Sequence, residues 1–185
     1  FREGIPRLLH EHRFRSIDNA ANALKSVGWS SVEGIVPADF AELDPWLGDL
    51  LVLGLRVDEK RIPGGALRVR VLEAERAERR KVGQDIPPAR RRDIRDEIES
   101  ELLSRSVPTV QVHQVLWDLP NGQVMFSATS EAAAASLGTL FRETFDCSLE
   151  PMTPWVAPRA AGLSRDLLAE LERVEPAVFS ADTEA

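Results

Sequence analysis

A long charged stretch lies between two segments that carry the apolar patterns of β-strands, and this order restricts the fold more than any other feature. Residues 50–57 form an apolar run that passes into alternation, which is typical of a strand buried on at least one face. Residues 110–128 alternate on both sides of Asn121-Gly122. Because both turn residues tolerate positive φ, this second segment predicts a β-hairpin.

The charged stretch predicts two helices joined by a short break. The first, over residues 65–81, begins after Pro63, which suits an opening helical turn, and it ends at Gly83. The second starts from Asp85 as the candidate N-cap, with two prolines in its opening turn. Its apolar positions recur at i, i+4 and i+8 and give one stripe, made of Ile94, Ile98 and Leu102. Together the helices predict a charged arm that packs on a sheet or on a partner chain.

Further elements flank this central region. Gly28-Trp29 predicts a turn with an aromatic anchor. Ser130 is a candidate N-cap for a helix over residues 131–145, which a short strand over 148–152 would follow. A last helix is expected over residues 164–174, and the residues after it are expected to be disordered.

These elements predict an α+β fold rather than a doubly wound parallel sheet, because the strands and helices are segregated along the chain. The expected architecture is an antiparallel sheet, made of the hairpin and flanking strands, with helices packed on one side and the long two-helix charged arm. We expect an N-terminal α/β segment over residues 1–49, a core over 50–155, and a C-terminal helix and tail over 156–185.

The net charge of −7 is unevenly distributed. Residues 56–105 hold 14 Lys and Arg against 11 Asp and Glu, a net of +3, whereas the other residues hold 9 against 19, a net of −10. A polyanion would therefore bind the middle segment. With one cysteine, the chain forms no intramolecular disulfide, and a reducing, cytoplasmic compartment is expected. Neither a membrane-spanning run nor a signal peptide is evident in the sequence.

The candidate DNA-binding residues lie within the two charged helices and just after them. They are Arg76, Arg79, Arg80, Lys81, Arg90, Arg91, Arg92, Arg95 and Arg105. Residues 76–95 alone hold eight basic and three acidic side chains, a net of +5. Such a segment can pair with phosphates without reading sequence. The alternative is a solvated helix face with i,i+4 ion pairs, which the interleaved acids favour from spacing alone.

Base readout and catalysis find little support in the sequence. No helix-turn-helix, zinc-finger or RNP pattern is visible, so binding would be directed at the backbone. Tryptophans can stack on bases, but Trp117 follows an alternating strand, which favours a core role. His10 and His12 fall on different faces of a helix, and Cys147 is expected to be a small packed residue. A two-metal nuclease needs converging carboxylates, and turn, cap and surface roles account equally well for the candidates Asp118, Asp146 and Glu150.

Three stretches, taken in order, resemble the RdgC family of bacterial recombination-associated DNA-binding proteins. They are a strand and charged turn ending in Lys60-Arg61-Ile62-Pro63; Arg80-Lys81-Val82-Gly83 through Leu102-Leu103-Ser104-Arg105-Ser106; and Trp117-Asp118, Asn121-Gly122, Ala128 and Ser130 with the following helix. A weaker pattern, Phe14-Arg15 and Ser26-Val27-Gly28-Trp29, extends the resemblance over residues 14–155. The order and spacing of the motifs carry the likeness, because each motif alone is unspecific.

The resemblance implies a non-catalytic, sequence-independent DNA-binding protein that binds double- and single-stranded DNA. It also implies a homodimer that moderates the access of a RecA-type recombinase to DNA in the nucleoid, with no cofactor and no membrane partner. The family also carries an exonuclease label, which we do not expect to apply. Ser104 and Val107 depart from the family's proline and bulky aromatic residue. The alternative is therefore a shortened relative that serves as a protein-interaction or assembly module without DNA binding.

Overall fold

The computed structural model describes residues 2–18, 23–34, 39–40, 42–154 and 156–174. The chain divides into two compact units, Phe1–Ser148 and Leu149–Ala185. The first unit holds a short 3-10 turn at its N-terminus, followed by α1 (Ile5–Glu11), β1 (Lys25–Ser30), β2 (Trp46–Leu47), β3 (Leu50–Glu59), α2 (Gly64–Val82), α3 (Pro88–Ser104), β4 (Thr109–Asp118), β5 (Gln123–Phe126) and α4 (Glu131–Phe145). The second unit holds α5 (Val156–Ala160) and α6 (Arg165–Leu171).

All strand pairs of the described sheet are antiparallel. The order is β1-β3-β4-β5, and β2 pairs with the first residues of β3. β3 and β4 are the longest strands and pair over their whole length, from Leu50↔Asp118 to Glu59↔Thr109. The sheet with its helices confirms the predicted α+β class. The predicted strand over residues 50–57 forms as β3, and the predicted hairpin over residues 110–128 forms as β4 and β5.

Aromatic side chains pack α4 against one face of the sheet. Trp29 of β1 is fully buried, and its ring centroid lies 5.8 Å from that of Phe145. Its indole Nε1 donates a hydrogen bond of 2.7 Å to Thr144 Oγ1 on the same helix. Trp117 of β4 lies 4.8 Å from Phe141 and 5.0 Å from Phe145 between ring centroids. Trp117 is half-buried, so its predicted core role is confirmed only in part: its ring packs on α4 but is not enclosed.

The predicted turn at Gly28-Trp29 is wrong, because both residues lie inside β1. Glycine is needed there for close approach rather than for a turn: a Cβ at Gly28 would lie 2.4 Å from the Cα of Phe14. The backbone N–H of Phe14 donates to the carbonyl of Trp29 at 2.8 Å, so the segment after α1 runs directly against β1.

Local signals placed the helix boundaries well. α2 ends at Gly83 with φ of 69°, and Ser130 caps α4 by accepting from the N–H of Ala133. Asp85 is not an N-cap, however, because α3 begins after Pro87. In the hairpin turn Gly122 has positive φ (62°), whereas Asn121 is not among the positive-φ residues of the described chain.

Three further predictions differ from the structure: a strand, a packed cysteine and the end of the last helix. Residues 148–152 form no strand, and Cys147 is exposed rather than packed. The last helix is capped by Ser164 and ends at Leu171, earlier than predicted. The expected disordered tail lies outside the described residues. Within those residues, no helix combines the length and apolarity that crossing a bilayer requires.

The close approach at Gly28 makes a test of the fold. We expect Gly28→Ala to lower the free energy of unfolding by about 1–3 kcal/mol, because the backbone of Phe14 must move to admit a methyl group. Gly138→Ala is the matched control: this glycine lies within α4, and a Cβ added there would have no neighbour within 4 Å, so the same change should raise helix stability by about 0.5–1 kcal/mol. Urea unfolding followed by tryptophan fluorescence measures both. Equal effects of the two substitutions would contradict the close packing at β1.

Candidate nucleic-acid interface

The two charged helices connect the paired strands β3 and β4, and they pack on each other. α2 has no buried residue, and α3 buries only Ile94. The half-buried residues of α2 fall on one side of the helix, at Leu67, Val71, Ala74, Glu75 and Glu78. In α3 the stripe of Ile94, Ile98 and Leu102 is buried or half-buried, as predicted from its spacing. These two stripes form the contact between the helices.

Ion pairs between the helices show that they run antiparallel. Arg90 Nε near the start of α3 lies 3.3 Å from Glu78 Oε1 near the end of α2. Arg70 Nη2 near the start of α2 lies 3.9 Å from Glu101 Oε1 near the end of α3. The two basic clusters predicted around residues 76–81 and 90–95 are therefore brought side by side.

Three of the nine predicted DNA-binding residues are engaged by carboxylates. Arg90 contacts Glu97 at 2.8 Å as well as Glu78, and both hydrogen bonds raise the pKa of its guanidinium above the usual value. Arg79 Nε lies 3.5 Å from Asp85 Oδ1, and Arg105 Nη1 lies 3.5 Å from Glu101 Oε1. Arg90 is also half-buried on the stripe that faces α2. Its main contacts are thus within the protein.

The other six predicted residues are exposed and form no ion pair with any described residue. They are Arg76, Arg80, Lys81, Arg91, Arg92 and Arg95. The two interpretations of the charged stretch, a phosphate-binding segment and a helix face with ion pairs, therefore apply to different side chains. Some cations belong to a paired helix face, and others remain available to a polyanion.

Basic residues at the end of β3 serve the fold. Arg56 forms a two-point ion pair with the fully buried Asp58, at 2.9 Å for each hydrogen bond, and this contact raises the pKa of Arg56. The guanidinium also stacks on the ring of Phe14 at 4.2 Å. Lys60 is buried and donates to the carbonyl of Asp18, and Arg61 pairs with Glu59 at 2.9 Å. The positive charge of residues 56–105 is thus only partly available for binding.

An open groove along the helical pair is lined by a cation, Arg68, that is not among the nine predicted residues. Arg68 of α2 and Arg95 of α3 line it, together with the apolar side chains of Leu67, Val71 and Leu72 and two glycines. Its volume is about 500 Å³, and no carboxylate is among its lining residues. Arg68 was missed because it lies outside the dense basic cluster. Its helical spacing from Arg76 and Arg79 was the available signal.

Three of the residues considered for catalysis, Asp118, Asp146 and His10, have structural contacts. Asp118 accepts hydrogen bonds from the backbone N–H and the side-chain amide of Asn121 in the hairpin turn. Asp146 ends α4 in the left-handed conformation, with φ of 55°. His10 Nδ1 lies 3.9 Å from Asp39 Oδ1. In the part of the chain that the structure describes, no three His, Cys, Asp or Glu residues are grouped so as to hold a metal ion.

Fold and surface together define an α+β protein in which two paired helices expose cations that form no ion pair with a described residue. A family model described as "Putative exonuclease, RdgC" matches residues 3–171, and the chain belongs to the RdgC family. The match extends beyond residues 14–155, over which the resemblance was recognised. The description labels the family as nucleases, but it demonstrates no activity in this chain. A search of curated proteins finds no match.

The different environments of Arg90 and Arg91 generate a prediction about stability. Arg90→Ala should lower the midpoint of urea unfolding, because Glu78 and Glu97 lose the cation between them. Arg91→Ala removes the same charge from the next residue of α3, which has no ion pair within the described chain, and should leave the midpoint nearly unchanged. Far-UV circular dichroism follows both transitions.

Salt supplies the control for this comparison. The deficit of Arg90→Ala should shrink as sodium chloride is raised, because salt screens exposed ion pairs. Equal midpoints for the two variants at low salt would show that Arg90 does not hold the helices together.

Proposed function

We propose that this chain is a sequence-independent DNA-binding protein that contacts phosphates through exposed cations of the α2–α3 pair. The observation that carries the proposal is the set of six exposed cations, free of ion pairs with described residues, on two adjacent antiparallel helices. Cations of this kind displace the counterions condensed on DNA, and this gives affinity without base recognition. The helices offer no aromatic side chain for base stacking, which supports contact with the backbone.

Family membership supports the wider role. We propose that the protein acts in recombination, as a homodimer that moderates recombinase access to double- or single-stranded DNA in the nucleoid. The proposed activity is binding without catalysis. Two of the three acids considered for a nuclease site, Asp118 and Asp146, have turn and helix-end roles, which supports this choice.

A second candidate function is a protein-interaction or assembly module without DNA binding. It is favoured by the net charge of −10 outside residues 56–105, which opposes the approach of DNA. Val107 also supports it, because this side chain stands where the family pattern has a bulky aromatic residue and is 86% exposed. The two candidates differ in their response to salt, since only DNA binding requires release of counterions from DNA.

Filter binding to a long duplex across a salt series tests the proposal. We expect the logarithm of the binding constant to fall linearly with the logarithm of salt concentration, with a slope no steeper than about −5 for six cations. The triple variant Arg76→Ala, Arg91→Ala, Arg95→Ala should bind more weakly and reduce the slope by about 3. No binding of the unaltered protein at low salt would refute DNA binding.

The matched control removes the same charge elsewhere. Arg15, Arg142 and Arg165 are exposed and form no ion pair with described residues, so their triple alanine variant should keep the slope of the unaltered protein. An equal loss in both triple variants would contradict the assignment to the helical pair. Incubation of labelled DNA with Mg²⁺ tests catalysis separately: intact DNA is expected, and degradation would support the nuclease description of the family.

A further inference from the structure

We propose that one face of the α2–α3 pair contacts the phosphates, and that the opposite face does not. This face, here called the guanidinium face, consists of Arg68, Arg76 and Arg79 of α2 with Arg91 and Arg95 of α3. The proposal rests on the proposed DNA-binding function and specifies where on the helical pair DNA binds. It keeps four of the nine predicted residues and adds Arg68. The five that it leaves out are Arg80, Lys81, Arg90, Arg92 and Arg105.

Helical spacing puts these residues in two rows. Arg68, Leu72, Arg76 and Arg79 follow at i, i+4, i+8 and i+11, which is one side of α2. Arg91 and Arg95 are four residues apart and form a row on α3. Each row is next to the stripe that packs against the other helix.

The groove shows that both rows lie on the same side of the pair. Arg68 and Leu72 from the first row line it together with Arg95 from the second. The helices are antiparallel, so the step from Arg95 back to Arg91 on α3 runs in the same direction as the step from Leu72 to Arg79 on α2. All five guanidiniums are therefore placed along one surface, with Leu67 and Val71 between the rows at one end.

Ion pairing distinguishes this surface from the opposite face. Glu75 lies four residues before Arg79 and Glu99 four residues after Arg95, so both acids share the two rows, but neither forms an ion pair with a described residue. None of the residues lining the groove is acidic. Only Arg79 of the five has an ion pair, and its partner Asp85 is 89% exposed, so solvent weakens the contact. On the other face Arg70 contacts both Glu73 and Glu101, and Arg90 contacts both Glu78 and Glu97. A phosphate there would compete with two carboxylates at each of these cations.

The dimensions and the residue type fit a nucleic-acid backbone. From Arg68 to Arg79 the α-helical rise gives roughly 16 Å, which is the axial length of about four to five phosphates on one strand. All five cations are arginines, whose planar guanidinium matches the phosphate oxygens with two parallel hydrogen bonds. Lysine offers only a point charge.

Lys81 provides a control on the opposite face. It follows Arg70 at i+11 in α2, which puts it on the side of Arg70 rather than of Arg68. It is exposed and has no ion pair with a described residue. The closed end of the helical pair is the end where α2 connects to α3 through residues 83–87. If DNA binding followed charge density alone, DNA would bind at this closed end, and Lys81 would contribute more to the affinity than Arg68. Single substitutions of Arg68 and Lys81 therefore distinguish DNA binding on the guanidinium face from DNA binding at the closed end.

The experiment compares Arg68→Ala, Arg95→Ala and Lys81→Ala in salt-series filter binding to one long duplex. Each substitution removes one charge and no ion pair with a described residue. We expect Arg68→Ala and Arg95→Ala each to weaken binding several-fold at low salt and to reduce the slope by about 0.9. Lys81→Ala should leave the slope unchanged. Arg68→Lys should restore the slope, because the charge returns, with an affinity below that of arginine.

Two results would overturn the inference. The first is an unchanged slope for Arg68→Ala with a reduced slope for Lys81→Ala, which would place binding at the closed end and leave the proposed function intact. The second is an equal reduction by all three alanine variants, which would show that no face is preferred. Absence of binding by the unaltered protein is a different result, since it refutes DNA binding itself. Circular dichroism melting of each variant verifies that the helical pair is folded.

Discussion

The pairing of β3 with β4 is the constraint on which the rest of the candidate interface depends. Ten residues of each strand are in register, and the last pair, Glu59 and Thr109, marks where the chain leaves the sheet and returns to it. Both ends of the connection are thereby held side by side. A helical connection between them must run out and come back, so two antiparallel helices of similar length satisfy it. α2 has 19 residues and α3 has 17, which correspond to about 28 and 25 Å.

This arrangement lets a very polar pair of helices stay together. Since the sheet holds both ends, the contact between the helices needs little apolar surface, and Ile94 is the one side chain that the pair buries. Half-buried side chains of the two stripes and ion pairs such as Arg90–Glu78 contribute the rest of the contact. Basic residues of the pair therefore fall into two groups: some join the helices, and others form no ion pair with a described residue. The helix face decides the role of each residue, because two neighbours such as Arg90 and Arg91 point in different directions.

The sequence predicts features that depend on neighbouring residues. Gly83 and Ser130 terminate or begin helices through local backbone geometry and hydrogen bonds, and both were identified correctly. The predicted turn at Gly28 is wrong, since glycine is required there by the close approach of Phe14, which is distant in sequence. The segment 148–152 has strand propensity without a strand partner, and propensity alone does not make a strand. In the same way, charge density located the basic region, but the position of Glu78 on the other helix decides what Arg90 does.

Net charge is also a poor guide to what this chain binds, because contacts within the fold decide which charges a ligand can reach. Within residues 56–105 the cations of Arg56, Lys60 and Arg61 are used by β3 and its surroundings, so the net of +3 does not measure what a ligand meets. The surplus of acid elsewhere repels a polyanion over about one Debye length, roughly 10 Å at 0.1 M salt. Such repulsion opposes binding at every surface, and it is offset where guanidiniums without ion pairs to described residues are concentrated. An acidic protein can in this way confine a non-specific ligand to one face, and the guanidinium face is where this chain meets that condition.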